Sequence, residues 1–202
     1  MLLVWISAGA WKSLAAEPLQ KKAEGKAEAS KGSSTEAVPR VSLDEILGSP
    51  GASLMVPFYY TPDPKEPLRS LAADVEFVSN HLKFQKSSRG VIPDDVSAEI
   101  TTKVTEGPPD DKGVIRSKLH VTVSLTDKNP QKGLPEGLLA FLLFQVTMDA
   151  KPFTIKLTPT LVSGEDINNP PRNIAKIAGV PGTVVVETPD LMPEATCFFF
   201  SH

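Results

Sequence analysis

Gly137-Leu-Leu-Ala-Phe-Leu-Leu-Phe-Gln-Val146 is apolar at nearly every position, and how it is read decides the fold. A run of this length bounded by turns suits a central strand covered on both sides. Leu and Ala are also good helix formers, so a buried helix is the competing reading. The turn over residues 133–137 before it and Gln145-Val-Thr-Met148 after it favour the strand.

The neighbouring segments point the same way. In Leu54-Met-Val-Pro-Phe-Tyr-Tyr60, the residues Leu54, Val56, Phe58 and Tyr60 share one face, and Pro57 in the other register marks an edge or a bulge. Leu71, Ala73, Val75 and Phe77 alternate with Asp74 and Glu76, which leaves one face wet. Leu82 and Phe84 continue a short strand. Val96, Ala98, Ile100, Thr102 and Val104 alternate through the next. Leu119-His-Val-Thr-Val-Ser-Leu125 turns Leu119, Val121, Val123 and Leu125 inward and His120 outward. Residues 153–161 and 183–187 supply the last strands. The reading is all-β: a single jelly-roll β-sandwich of about eight to nine strands rather than alternating βαβ units.

Ahead of these segments two readings stay open. Ser42-Leu-Asp-Glu45 has the form of a capping box with Gly48 ending one helical turn. A first edge strand at residues 40–43 is the alternative.

Bulk properties bound the rest. The chain has 202 residues, enough for one sandwich with tails. Nineteen prolines and thirteen glycines fit a fold of many turns. A net charge of −3 offers no polyanion-binding field, so nucleic acid is not an expected partner. Cys197 is the sole cysteine, which excludes an intrachain disulfide and a cysteine metal cluster.

Four regions follow. Residues 1–16 read as an export signal: an apolar run from Met1 to Trp11, then Ser13-Leu-Ala15 as a small-x-small cleavage site, although Lys12 lies on the wrong side of the run. That run is too short for a spanning helix, which needs about 20 residues. Residues 17–40 are dominated by Glu, Lys, Ala, Gly and Ser and read as a disordered linker. The sandwich occupies 41–188. The tail, 189–202, contains Cys197-Phe-Phe-Phe200, three adjacent aromatic rings that usually dock or aggregate. The expected setting is secreted, extracellular or at the cell surface.

At this point the order of segments resembles a cohesin domain over roughly residues 51–187. Leu54-Met-Val-Pro-Phe58 resembles the family's Val-x-Val-Pro-Val strand. Val75-Glu-Phe-Val-Ser-Asn-His-Leu-Lys-Phe84 resembles the strand that carries its Tyr-Asp-Pro turn. Gly137 to Val146 resembles its Gly-x-Leu-Ala-x-Leu-x-Phe-x-Val strand, and Gly182-Thr-Val-Val-Val186 its closing strand. The chain departs from the family where Phe77-Val-Ser-Asn80 replaces Tyr-Asp-Pro, which removes a carboxylate. The resemblance implies a nine-stranded jelly roll that binds without catalysis. Its partner would be a dockerin-like module or a polysaccharide. Any calcium would sit on the partner, so no cofactor is expected on this chain. The domain is expected to be monomeric.

The chemistry-bearing residues agree with a binding role. His81, His120 and His202 show no metal-ligand spacing, so no metal site is expected. No nucleophile-elbow motif is present, and no catalytic residue is assigned. Asp94-Asp95 and Asp110-Asp111 read as solvated turn acids rather than a glycosidase pair. Candidate partner-binding residues are Glu76, Val78, Ser79, Asn80, His120, Thr122 and Ser124. Tyr59 and Tyr60 are candidate sugar-stacking rings, of which one must face outward by alternation. The competing reading is a structural or adhesive sandwich in a cell-envelope or secretion assembly.

Overall fold

Period-2 patterning drives the observed architecture. In the computed structural model, which describes residues 38–127 and 130–187, the inward-facing apolar residues of the long strands meet in one core between two sheets. The expected export segment, the linker as far as residue 37, and the tail with Cys197 lie outside the described residues.

The first sheet has five strands: β1 (Arg40–Leu43), β3 (Ser53–Thr61), β5 (Leu82–Arg89), β8 (Gly137–Val146) and β11 (Ala178–Val180), in the order β11-β1-β3-β8-β5. The second sheet contains β2 (Glu45–Gly48), β4 (Leu68–Val78), β6 (Ala98–Pro109), β7 (Ile115–Leu125), β9 (Phe153–Asp166) and β12 (Gly182–Val186), in the order β2-β12-β9-β4-β7-β6. A two-residue β10 (Asn173–Ile174) adds to β9.

Gly137 to Val146 is therefore a strand, central in its sheet between β3 and β5. A bulge turns both Leu139 and Ala140 into the core, followed by Leu142, Phe144 and Val146. Its other face is half-buried rather than covered by a layer.

Residues 40–48 resolve to strand, not helix. β1 pairs with β3 and β11 in one sheet, and β2 pairs with β12 in the other. The chain changes sheets at Asp44, and its partner segment changes at Pro181, between β11 and β12. Gly182 is needed at that crossing, because a Cβ there would lie 2.5 Å from the Asp44 carbonyl oxygen. Counting each crossing segment once and setting β10 aside leaves nine strands, in line with the expected eight to nine.

Aromatic rings tie the sheets together. Phe144 of β8 packs edge-on against Phe77 of β4, with centroids 5.3 Å apart, and against Phe84 of β5 at 5.5 Å. Among the described residues no helix is long and apolar enough to cross a membrane.

Candidate functional site

The outer face of the second sheet is built from the wet side of four alternating strands. Register places residues in rows across β6, β7, β4 and β9. One row is Lys103, His120, Asp74 and Leu161; the next is Thr105, Lys118, Glu76 and Thr158. On the other side lies Thr101, Thr122, Ala72 and Ser163.

The central groups orient one another. The His120 Nδ1 lies 2.6 Å from Asp74 Oδ1, and its Nε2 lies 3.1 Å from the Thr122 hydroxyl. Lys118 Nζ sits 3.7 Å from the second Asp74 oxygen and 3.5 Å from Glu76. With the Nδ1 proton donated to Asp74, Nε2 accepts from Thr122, so both polar ends of the imidazole are held. Leu161 projects beside this network with 59% of its surface exposed. It gains that position from a bulge at Thr160, whose hydroxyl donates to the Asp74 carbonyl.

Hydroxyl, imidazole and carboxylate stand here in the order used for acyl transfer. Thr122, however, lies on an open face with both neighbouring strands paired beside it, to Thr101 and Ala72. The ladder takes the backbone donors that an oxyanion would need. The arrangement can hold a partner group on an open face. Among the described residues no group of three or more His, Cys, Asp or Glu converges as a metal site.

The expected site residues divide. Glu76, His120, Thr122 and Ser124 lie on this face, and Val78 lies at its end opposite Arg116. Ser79 does not: it is 2% exposed, and its hydroxyl is engaged by Ser117 at 2.7 Å. Asn80 is committed within the fold, because its amide donates to the Gly113 carbonyl and its oxygen accepts from the Ile115 N–H, each at 2.8 Å. That clamp closes the β6–β7 hairpin, where Gly113 adopts a φ of 74° that favours glycine. Asp110 caps the same turn by accepting from Val114 and Lys112, and these backbone bonds hold its carboxyl below the usual range.

The tyrosine pair is also split by alternation. Tyr60 points inward and is 1% exposed, so it cannot stack on a sugar. Its hydroxyl has no partner, and burial, with the nearby Asp63 charge adding, pushes the phenol well above its ordinary range. Tyr59 is half-buried on the outer face of the first sheet.

Asp74, Lys118 and Leu161 were not singled out from the sequence. Asp74 and Lys118 share the outward parity of Glu76 and His120, a signal that was available. Leu161 depends on a bulge that leaves no trace in the pattern.

No protein-family profile and no curated protein sequence matches the chain. Solved structures do. The chain is similar to the sixth cohesin from Acetivibrio cellulolyticus scaffoldin B, solved in complex with a Cel5 dockerin mutant. The two are 19% identical, with 74% of this chain and 99% of that one covered and a TM-score of 0.56. It is similar to the seventh ScaB type I cohesin from Pseudobacteroides cellulosolvens at 13% identity, covering 82% and 99%, with a TM-score of 0.56. A Clostridium thermocellum cohesin, Coh-OlpA, solved in complex with the dockerin Doc918, matches at 15% identity over 74% and 99%, with a TM-score of 0.53. The fold is thus cohesin-like.

Proposed function

We propose that this chain is a non-catalytic binding module that captures a dockerin-type protein partner with the outer face of the β9-β4-β7-β6 sheet. The observation that carries the reading is the oriented Asp74–His120–Thr122 set with Lys118 at its side and Leu161 projecting next to it. An exposed apolar side chain beside oriented polar groups offers a partner both apolar area to bury and fixed contacts to match. Dockerin complexes of chains with this fold support the choice of partner. With Asn80 committed to the hairpin, recognition falls to the Asp74–His120 centre rather than to the Ser79-Asn80 turn.

The setting we infer is extracellular or at the cell surface, in polysaccharide breakdown, with calcium on the partner's side. Direct sugar binding is the weaker branch, since Tyr60 is buried and leaves Tyr59 as one half-exposed ring. A structural or adhesive role is the second reading. What favours it is the apolar outer face of the first sheet, where Met55 is 50% exposed beside half-buried Leu143 and Phe141.

The test is binding of the immobilised full chain to a panel of purified calcium-loaded dockerin modules, with and without EGTA. Saturable binding by at least one module is expected, lost on chelation and weakened about a hundredfold by Leu161→Arg or Asp74→Lys, the size of a hot-spot loss. Binding that ignores both substitutions, or retardation on a polysaccharide gel with no dockerin bound, would overturn it.

A further inference from the structure

The strands β5 and β6 are the free edges of opposite sheets on the same flank of the sandwich. They touch through Ser87 and Thr102, whose hydroxyls lie 3.3 Å apart, and through Lys83 and Glu106 at 3.8 Å. Between them opens a cleft of about 320 Å³. Phe77, Leu82, Phe84 and Val104 form its apolar walls, and Ser79 and Ser117 its polar end.

Those two serines form a directed chain. The Ser117 hydroxyl donates to Ser79 Oγ at 2.7 Å, and the Ser79 hydroxyl donates to the Ile115 carbonyl at 3.4 Å. Both protons are spent, so Ser117 Oγ meets an incoming group as an acceptor. Both residues are 2% exposed, so the chain lies out of bulk water, where hydrogen bonds in series strengthen one another. The rim carries one charge of each sign, which gives an ionic ligand no net attraction.

The geometry points to a second binding site, separate from the partner face, for a small neutral ring compound with a single hydroxyl donor, phenol being the simplest. Its ring lies between Phe77 and Phe84, and its O–H donates to Ser117 Oγ, extending the chain to Ile115. The volume suits one six-membered ring, at the small end of ligand pockets. The site owes nothing to the dockerin reading and stands or falls apart from it.

The experiment is an NMR titration of the isotope-labelled full chain with phenol, toluene and benzoate. Phenol is expected to give saturable shifts confined to Phe84, Val104 and Ser117, and to bind about fivefold more tightly than toluene, the value of one neutral hydrogen bond. Benzoate is expected not to saturate. Ser117→Ala should bring phenol to the toluene level. Val104→Trp, at a wall position that is 36% exposed, should block both. Equal affinity for phenol and toluene would overturn the hydroxyl contact. Scattered shifts that do not saturate, or binding that survives Val104→Trp, would overturn the site.

Discussion

The two sheets share one core and turn unlike faces to solvent. The outer face of β9-β4-β7-β6 carries Thr, Lys, His, Asp and Glu, with Leu161 alone projecting as a large exposed apolar group. The outer face of β5-β8-β3 carries a central patch of Met55, Tyr59, Leu138, Phe141 and Leu143, with Ser53 and Gln145 at one end. The cause lies in the strands. Those of the first group alternate polar and apolar, whereas β8 is apolar on both sides. The consequence is that the second sheet holds a charged network in fixed directions at its centre, where His120 and Asp74 bind each other, whereas the first sheet's oriented polar pair, Ser53 and Gln145, sits at one end. Apolar area gives adhesion; fixed donors and acceptors give choice between partners.

The comparison requires that both faces rest on one core, and the largest expected effect tests that. Phe144→Ala removes the ring that meets Phe77 from the second sheet and Phe84 from the first. A loss of about 3–5 kcal/mol in urea unfolding is expected, as for other buried Phe truncations. A single transition should report it, since both sheets lose the same packing. Two separate transitions would show that the sheets are not one unit.

Acid sharpens the contrast at the far end of β9. Asp166 is 1% exposed and accepts from the Arg172 N–H, the Arg172 guanidinium and Asn168. The Arg172 backbone bond, first among these, holds its carboxyl down to about 2 from an ordinary 3.8. A group depressed in the folded state stabilises it fully above the unfolded value. That contribution fades below about pH 4 and is gone once pH falls through about 2. Thermal melts from pH 2 to 5 should show the slope, and Asp166→Asn should lower the melting point at pH 7 and flatten it. An unchanged slope would assign the acid sensitivity elsewhere.

A smaller effect separates clamp from contact. Asn80→Ala deletes two hydrogen bonds to the β6–β7 hairpin and should cost about 1–3 kcal/mol of stability. Dockerin binding measured well below the melting point should be unchanged. A weakened complex at unchanged stability would return Asn80 to the interface.

These residues also show what the sequence could and could not reveal. Period-2 alternation assigned the faces of β4 and β7 correctly, and with them the outward placement of His120. It even held the correction for Ser79, which shares the inward parity of Phe77; the turn-like pair Ser79-Asn80 drew attention from parity to polarity. Register was beyond reach. Alternation says that Asp74 and His120 both face out, but not that residues 46 apart in sequence stand opposite each other at 2.6 Å. The sheet crossing at Asp44 was hidden for the same reason: the demand on Gly182 comes from a carbonyl far away in the chain. The hydrophobic run of β8 gave its element but not its surroundings, since a run apolar on both sides reads as doubly covered whether or not a second layer exists.

Met55→Lys carries the smallest expected effect and isolates the first sheet's face. Met55 is half-exposed and pairs across to Leu143, itself half-buried, so a lysine stem can lie along the same surface with its ammonium in water. Stability should move by no more than about 0.5 kcal/mol, the range of surface substitutions. Dockerin affinity should stay at the wild-type value, because the two faces lie on opposite sides of the core. A drop in affinity matching that of Asp74→Lys would mean that the partner reaches around the sandwich or docks on the apolar face itself. In that event the polar network on the second sheet would be surface electrostatics of little worth, and adhesion through β5-β8-β3 would become the better account of the molecule.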